Sequence, residues 1–131
     1  MTSNPTELAS GLFARLESAW NAGDGAAFGE AFSDESDFVD IRGTHHQGGG
    51  DDVGQDHQMI FDSIYKGSVV RYRVTDAREL APGCVLAHAA ATLDAPSGPL
   101  QGTHSSCITA VIVGSGADAR ITAFHNTLVT N

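Results

Sequence analysis

Apolar residues in the first third of the chain recur at helical spacing. Asn4-Pro5 is a helix start signal, with a capping side chain before a proline at the first helical position. Gly23 predicts the end of this helix, and Asp24 is placed to cap a shorter second one. The apolar stripe that predicts a buried face on the first helix consists of Leu8, Leu12, Phe13, Leu16 and Trp20.

The middle of the chain predicts a short extended segment, a loop and a third helix. Residues 37–41 have the extended pattern, and the glycine-rich residues 45–50 predict an exposed, mobile loop at the rim of the molecule. Asp51 and Asp52 suit the N-terminus of a helix, which Gly67 is expected to end. The predicted buried face of this helix consists of Val53, His57, Ile60, Phe61 and Ile64.

From residue 68 onward apolar and polar positions alternate, which is typical of strands. Val70, Tyr72 and Val74 begin this pattern, and Gly- and Pro-rich turns interrupt it three times. Successive strands joined by short turns predict an antiparallel meander. The later strands are predicted at residues 84–93, 100–113 and 121–129. Helices followed by strands indicate an α+β fold, a curved antiparallel sheet with the helices on one face.

Length and charge narrow the classes of function. A chain of 131 residues is enough for one domain, 1–131, with its own core. The formal net charge of -9 argues against binding to nucleic acid or to an anionic membrane surface. No apolar run approaches the ~18–20 residues of a transmembrane helix. Two cysteines outside any close motif suit a reducing compartment, so we expect a cytoplasmic protein.

Several segments of the chain resemble one known superfamily. Residues 21–24 with Phe28, Phe32 and Asp34 resemble the opening of SnoaL-like and ketosteroid-isomerase-like domains, which belong to the nuclear-transport-factor-like superfamily. Residues 38–46, 60–68, 74–78, 93–99 and 121–127 are similar to the SgcJ/EcaC type of that superfamily. The Phe-His-Asn-Thr sequence at 124–127 is the most specific of these similarities.

The resemblance implies a cone-shaped fold, an apolar pocket and a biosynthetic context. In that fold the bent sheet wraps the helices, and many members form homodimers through the outer face of the sheet. Members of the SgcJ/EcaC type accompany the polyketide machinery of enediyne antibiotics. The expected partner is therefore a small apolar polyene or polyketide intermediate, handled without a cofactor.

Asp40 is the first candidate for chemistry. Counted from residues 21–24, it occupies the position of the general-base aspartate of ketosteroid-isomerase-like enzymes. A carboxylate at the mouth of an apolar pocket can take a proton from a carbon beside a carbonyl if burial raises its pKa. The alternative is a strand-end aspartate bonded to backbone or to Arg42. The phenol of those isomerases would fall at Leu16, so steroid isomerisation is not expected.

The histidines suggest acid–base partners rather than a metal site. His45 and His46 are adjacent, so on an extended segment they point to opposite faces and do not share one ion. If residues 95–99 form the turn, Asp94 lies opposite Leu100 and His88 lies about opposite Ser106. His88, His104 and Ser106 then share one face. Either His125 or Asn126 joins that face, depending on a turn whose register the sequence leaves open.

The aromatic residues fit either a cavity wall or a core. Five of them could line a pocket for a flat or polyunsaturated molecule: Trp20, Phe38, Phe61, Tyr65 and Tyr72. His57 lies on the apolar face of the third helix and is either a packing residue or a ligand contact.

Two hypotheses from different classes follow. The first is a cofactor-free enzyme with Asp40 as base and His104, His125 or His88 as its acid partner, catalysing isomerisation, cyclisation or dehydration. The second is a non-catalytic protein that sequesters a reactive hydrophobic intermediate. Replacement of Asp40 distinguishes them, because only the enzyme needs the carboxylate for turnover. A metabolic enzyme outside any antibiotic pathway is a third reading.

Overall fold

The computed structural model describes residues 4–130. Its helices are α1 (Pro5–Ala22), α2 (Gly25–Gly29) and α3 (Gly50–Phe61). Its strands are β1 (Phe32–Val39), β2 (His45–Gly48), β3 (Val69–Ala81), β4 (Cys84–Ala95), β5 (Gly102–Val113) and β6 (Arg120–Leu128), with one 3₁₀ turn at Gly116–Asp118.

Local signals set the ends of the first two helices as predicted. The Asn4 side chain accepts a hydrogen bond of 2.8 Å from the backbone N–H of Thr6, and α1 ends at Gly23, whose φ of 68° is left-handed. Asp24 caps α2 by accepting a bond from the N–H of Ala27 at 3.0 Å. These contacts confirm the predicted boundary between α1 and α2.

The six strands form one curved sheet in the order β2-β1-β6-β5-β4-β3. The strands β3 to β6 pair as the predicted antiparallel meander, and β2 also pairs antiparallel with β1. The sheet as a whole is mixed, because β1, whose partner the sequence did not predict, pairs with β6 in parallel. This parallel pair joins the helical half of the chain to its last strand.

Residues 45–50 are not the mobile rim that their composition predicts. Residues 45–48 form β2, and Gly49 is buried against β1. A methyl group at Gly49 would collide with the backbone oxygen of Asp34, and one at Gly50 would collide with that of Gly29. The glycines are therefore required for close approach between backbones rather than for mobility.

The third helix is shorter than predicted. It ends at Phe61, and residues 62–67 form turns that lead to Gly67, whose φ is 78°. Ile64 and Tyr65 therefore lie in these turns rather than on α3.

The core lies between the helices and the inner face of the sheet. Its largest fully buried side chains come from the first two helices and the last two strands, and they are Phe13, Leu16, Phe28, Ile108, Ile112 and Ile121. No helix within residues 4–130 is long and apolar enough to cross a membrane.

Candidate functional site

A cavity of about 220 Å³ opens between the inner face of the sheet and the helices. One wall comes from α1, α3 and the turns after α3, and its residues are Trp20, His57, Ile60, Ile64 and Tyr65. The sheet forms the opposite wall with Phe38, Val70, Tyr72, Ala91, Leu93, His104, Ser105, Ser106, Asn126 and Leu128. Asp40, Ile41 and Arg42 form the edge after β1, and Leu100 contributes from the turn before β5. Most of this lining is apolar, which suits a small hydrophobic molecule.

The structure brings nine of the predicted site residues to this cavity and leaves four elsewhere. The nine are Trp20, Phe38, Asp40, His57, Tyr65, Tyr72, His104, Ser106 and Asn126. The four that lie elsewhere are Leu16, Phe61, His88 and His125.

Leu16 and Phe61 belong to the core. Leu16 is fully buried, and Phe61 is 5% exposed with its ring centroid 4.9 Å from that of Trp20. Phe61 therefore packs against Trp20, which lines the cavity, but is not itself part of the lining.

His88 lies on the outer face of the sheet because the β4–β5 register differs from the predicted one. Asp94 pairs with Thr103 rather than with Leu100, so the turn is longer than expected. An odd offset moves every side chain of a strand to the other face. His88 accordingly pairs with Thr109, and its Nδ1 lies 3.1 Å from a carboxylate oxygen of Asp76 on β3.

The last strand settles the choice between His125 and Asn126. His125 pairs with Thr109 and is exposed on the same outer face as His88, whereas Asn126 pairs with Ile108 and lines the cavity. His125 is therefore excluded as an acid partner inside the cavity, and an amide takes its place.

Asp40 is held in one orientation by three hydrogen bonds. Its Oδ1 accepts bonds from the backbone N–H groups of Arg42 at 2.9 Å and Thr44 at 3.1 Å. Its Oδ2 lies 3.0 Å from Nε2 of His46. A carboxylate offers about four acceptor positions, so Oδ2 has room for one further donor.

The pKa of Asp40 is lowered, which is opposite to the rise that the base hypothesis invoked. Burial acts to raise this pKa and is the largest single influence. The hydrogen bonds from His46 and from the N–H groups of Thr44 and Arg42, with the charge of His46, outweigh it. Asp40 is therefore ionised at neutral pH and has its carboxylate fixed in place.

His46 is a site residue that the sequence did not reveal. Its Nε2 faces Asp40, and its Nδ1 lies 3.9 Å from a carboxylate oxygen of Asp56 on α3. The imidazole thus links the edge of the cavity to a surface carboxylate. The signal in the sequence is weak, because a His-His pair in a glycine-rich stretch also fits a loop.

Tyr65 supplies a phenol to the cavity from a position that the family comparison did not indicate. Burial raises its pKa, the positive charge of Arg42 lowers it, and the negative charge of Asp40 raises it. The phenol is therefore protonated at neutral pH, and it lies close enough to Asp40 and Arg42 to sense both charges.

His57 is an uncharged histidine at the back of the cavity. Burial lowers its pKa to about 4, although a hydrogen bond with the backbone oxygen of Val53 partly offsets this. Its Nδ1 donates that bond at 2.8 Å, and its ring stacks on Phe28 with centroids 4.1 Å apart. His57 is thus both a packing residue and part of the cavity wall.

Two polar atoms on the sheet wall lack partners. Nε2 of His104 and Oδ1 of Asn126 are buried and make no hydrogen bond within the described residues 4–130. A buried polar atom without a hydrogen bond destabilises the protein by about 1–3 kcal/mol, so both atoms favour a ligand that forms a hydrogen bond with them. No cluster of three or more His, Cys, Asp or Glu side chains suited to a metal ion occurs in this part of the chain.

Comparisons with known proteins identify the fold. A domain of unknown function from Nostoc punctiforme, described as cystatin-like, superposes with a TM-score of 0.86 at 22% identity, over 100% of this chain and 81% of that one. An uncharacterized cystatin-like protein from Caulobacter vibrioides gives 0.84 at 25% identity, over 98% and 92%. An NTF-2 like protein of unknown function from Shewanella oneidensis gives 0.77 at 16% identity, over 93% and 98%.

The chain has the NTF2-like cone fold. No protein-family model matches the sequence, and a search of curated proteins finds no match. The three structural neighbours confirm the predicted architecture and are described without a function. The enediyne type suggested by the sequence therefore stays a prediction.

Proposed function

We propose that this NTF2-like protein binds a small apolar polyene or polyketide intermediate and moves a proton on it without a cofactor. The observation that carries the proposal is Asp40, an oriented carboxylate at the edge of a mostly apolar cavity, with room for one more hydrogen on Oδ2. The cavity of about 220 Å³ is below the roughly 300–1,000 Å³ of drug-sized pockets, so it suits a small molecule or one end of a longer chain.

The proposed step is removal of a proton from a carbon next to a carbonyl group. The C–H electrons move into the adjacent carbon–carbon bond and the carbonyl electrons onto oxygen, while the proton goes to Oδ2 of Asp40. Tyr65 is protonated and donates a hydrogen bond to the developing enolate oxygen. Return of the proton from Asp40 to another carbon gives an isomer, whereas its transfer to a β-hydroxyl, which then leaves as water while the carbonyl re-forms, gives a dehydrated product.

A carboxylate of lowered pKa is a weak base, so the enolate must be stabilised strongly. Exclusion of water by the apolar walls strengthens the hydrogen bond from Tyr65. His46 acts on the carboxylate instead, because its contact with Oδ2 keeps Asp40 ionised before the ligand arrives. The chemistry therefore depends on donors at both the carboxylate and the carbonyl oxygen.

The wider setting is proposed from the resemblance in the sequence. It supports a place in enediyne-type polyketide biosynthesis in the cytoplasm, and a homodimer formed through the outer face of the sheet. That face carries both His88 and His125, together with the exposed Cys107. Sedimentation at several protein concentrations tests the dimer, and a gene neighbourhood without a polyketide synthase would count against the pathway.

The test is Asp40→Asn with a β,γ-unsaturated cyclohexenone as probe. Conjugation of the double bond is followed by absorbance, and binding by the fluorescence of Trp20, the only tryptophan of the chain. We expect the variant to lose conjugation by at least about a hundredfold and to keep its affinity within about threefold. Asp37→Asn, which alters an exposed carboxylate paired with His45, is the matched control.

A second function is favoured by the lowered pKa of Asp40. In a protein that only sequesters its ligand, this carboxylate fixes the loop after β1 through its bonds to Arg42 and Thr44. Binding of the probe without conjugation in the wild type would support this reading and contradict the enzymatic one.

A further inference from the structure

The sheet wall of the cavity carries polar groups at two separate depths. Asn126 lies on the same row as Ile108, and His104 lies four residues further along β5, which corresponds to roughly 13 Å of strand. Ser106 occupies the row between them and also lines the cavity. The polar positions therefore form a line along the sheet wall rather than meeting at one point.

The residues at the two ends of this line, Asn126 and His104, carry the atoms that lack hydrogen-bond partners. Oδ1 of Asn126 is a hydrogen-bond acceptor, and Nε2 of His104 belongs to an imidazole that accepts or donates according to its tautomer. Water completes such atoms only where several polar partners surround it. Across the strands from His104 the lining residues are apolar, since it pairs with Leu93, which in turn pairs with Val70.

Asn126 and Asp40 belong to the same end. Parallel pairing of β1 with β6 sets Val39 beside His125, and continuing that register by one residue sets Asp40 beside Asn126. Both residues line the cavity. The proposed reaction centre is thus at the Asn126 end, and His104 stands apart from it.

From this placement we propose that the ligand is an elongated molecule with a hydroxyl group at each end, one donating a hydrogen bond to Oδ1 of Asn126 and the other bonded to Nε2 of His104. Its apolar body lies across the cavity against Trp20 and Ile60. This inference rests on the proposed function for the identity of the cavity, and it assigns His104 to recognition of the far end of the ligand rather than to proton transfer beside Asp40.

The experiment measures binding by calorimetry for a rigid series of fused-ring probes. The series is a naphthalenediol with hydroxyls at opposite ends, the naphthol with one hydroxyl, and naphthalene itself. In the wild type we expect each hydroxyl to tighten binding by about 3- to 10-fold, as one net hydrogen bond does. In His104→Phe the diol and the naphthol should bind with equal affinity, because the second hydroxyl has lost its partner.

Two variants make the result decisive. His88→Phe is the matched control, since it removes a histidine from the outer face of the same sheet, and it should keep the wild-type preference for the diol. Asn126→Leu should remove the advantage of the naphthol over naphthalene. Equal binding of diol and naphthol to the wild type, or a preference for the diol that survives in His104→Phe, would overturn the proposal.

The outcomes also separate this inference from the proposed function. If the cyclohexenone is conjugated by the wild type and His104→Phe leaves the diol preference intact, the two-ended ligand is wrong and the acid–base function stands. If the diol preference depends on His104 but Asp40→Asn has no effect on conjugation, the ligand class stands and the acid–base function fails.

Discussion

The uncharged state of His57 predicts how the stability of the protein changes with pH. A histidine in the unfolded chain has a pKa of about 6.5, whereas burial lowers the pKa of His57 to about 4 in the folded state. Between these values the unfolded chain binds the proton and the folded protein does not. The contribution of His57 to the free energy of unfolding is therefore fully present above about pH 6.5 and is lost as the pH falls toward about 4.

The magnitude follows from the difference between the two pKa values. Each pKa unit corresponds to about 1.4 kcal/mol, so the whole window amounts to about 3 kcal/mol. From about pH 7.5 to about pH 5 the expected loss is about 2 kcal/mol, because the folded protein stays unprotonated at His57 over that range. The pKa of Asp40 is lowered from 3.8, so its contribution is lost at lower pH than this range.

The assay is urea unfolding at both pH values for the wild type and for His57→Phe. Absolute stability changes in His57→Phe because the bond to Val53 is lost, so the quantity compared is the difference between the two pH values. We expect that difference to be about 2 kcal/mol smaller in His57→Phe than in the wild type. Equal pH dependence in the wild type and His57→Phe would refute the reasoning.

Two further predictions concern β2 and the residue that follows it, Gly49. Gly49→Ala should destabilise the fold by about 3 kcal/mol or more in urea unfolding, because the added methyl group meets the backbone of β1. The control is Gly11→Ala, at an open position of α1, which should stabilise the fold by about 0.5–1 kcal/mol. His46→Gln should raise the pKa of Asp40, measured by carbon-13 NMR of its carboxyl group, whereas the control His45→Gln should leave that pKa unchanged. An unaltered Asp40 titration in His46→Gln would contradict the contact between His46 and Asp40.

The architecture was predictable because its signals are local. The cap at Asn4, the left-handed Gly23 and the second cap at Asp24 each act within one helical turn. The alternation after residue 68 likewise defines strands without reference to the rest of the chain. Such short-range patterns fix which elements form and in what order, and hence the α+β class.

Much of the site was not predictable because it depends on register and on contacts between distant parts of the chain. The turn between β4 and β5 is longer than its Pro and Gly residues suggest, and this odd offset moved His88 out of the cavity. The parallel pairing of β1 with β6 has no counterpart in local sequence, although it sets Asp40 near Asn126. The contact from His46 to Asp40 depends on β2, a strand of four residues.

The most direct test of the central claim is a crystal structure of the protein soaked with a saturated cyclohexanone, which cannot undergo the conjugation. We expect the ring in the cavity beside Trp20, with its α-carbon about 3–3.5 Å from Oδ2 of Asp40 and its oxygen within hydrogen-bond distance of the Tyr65 hydroxyl. A cavity filled by its own side chains, or a ketone bound with its α-carbon turned away from Asp40, would contradict the proposed acid–base function.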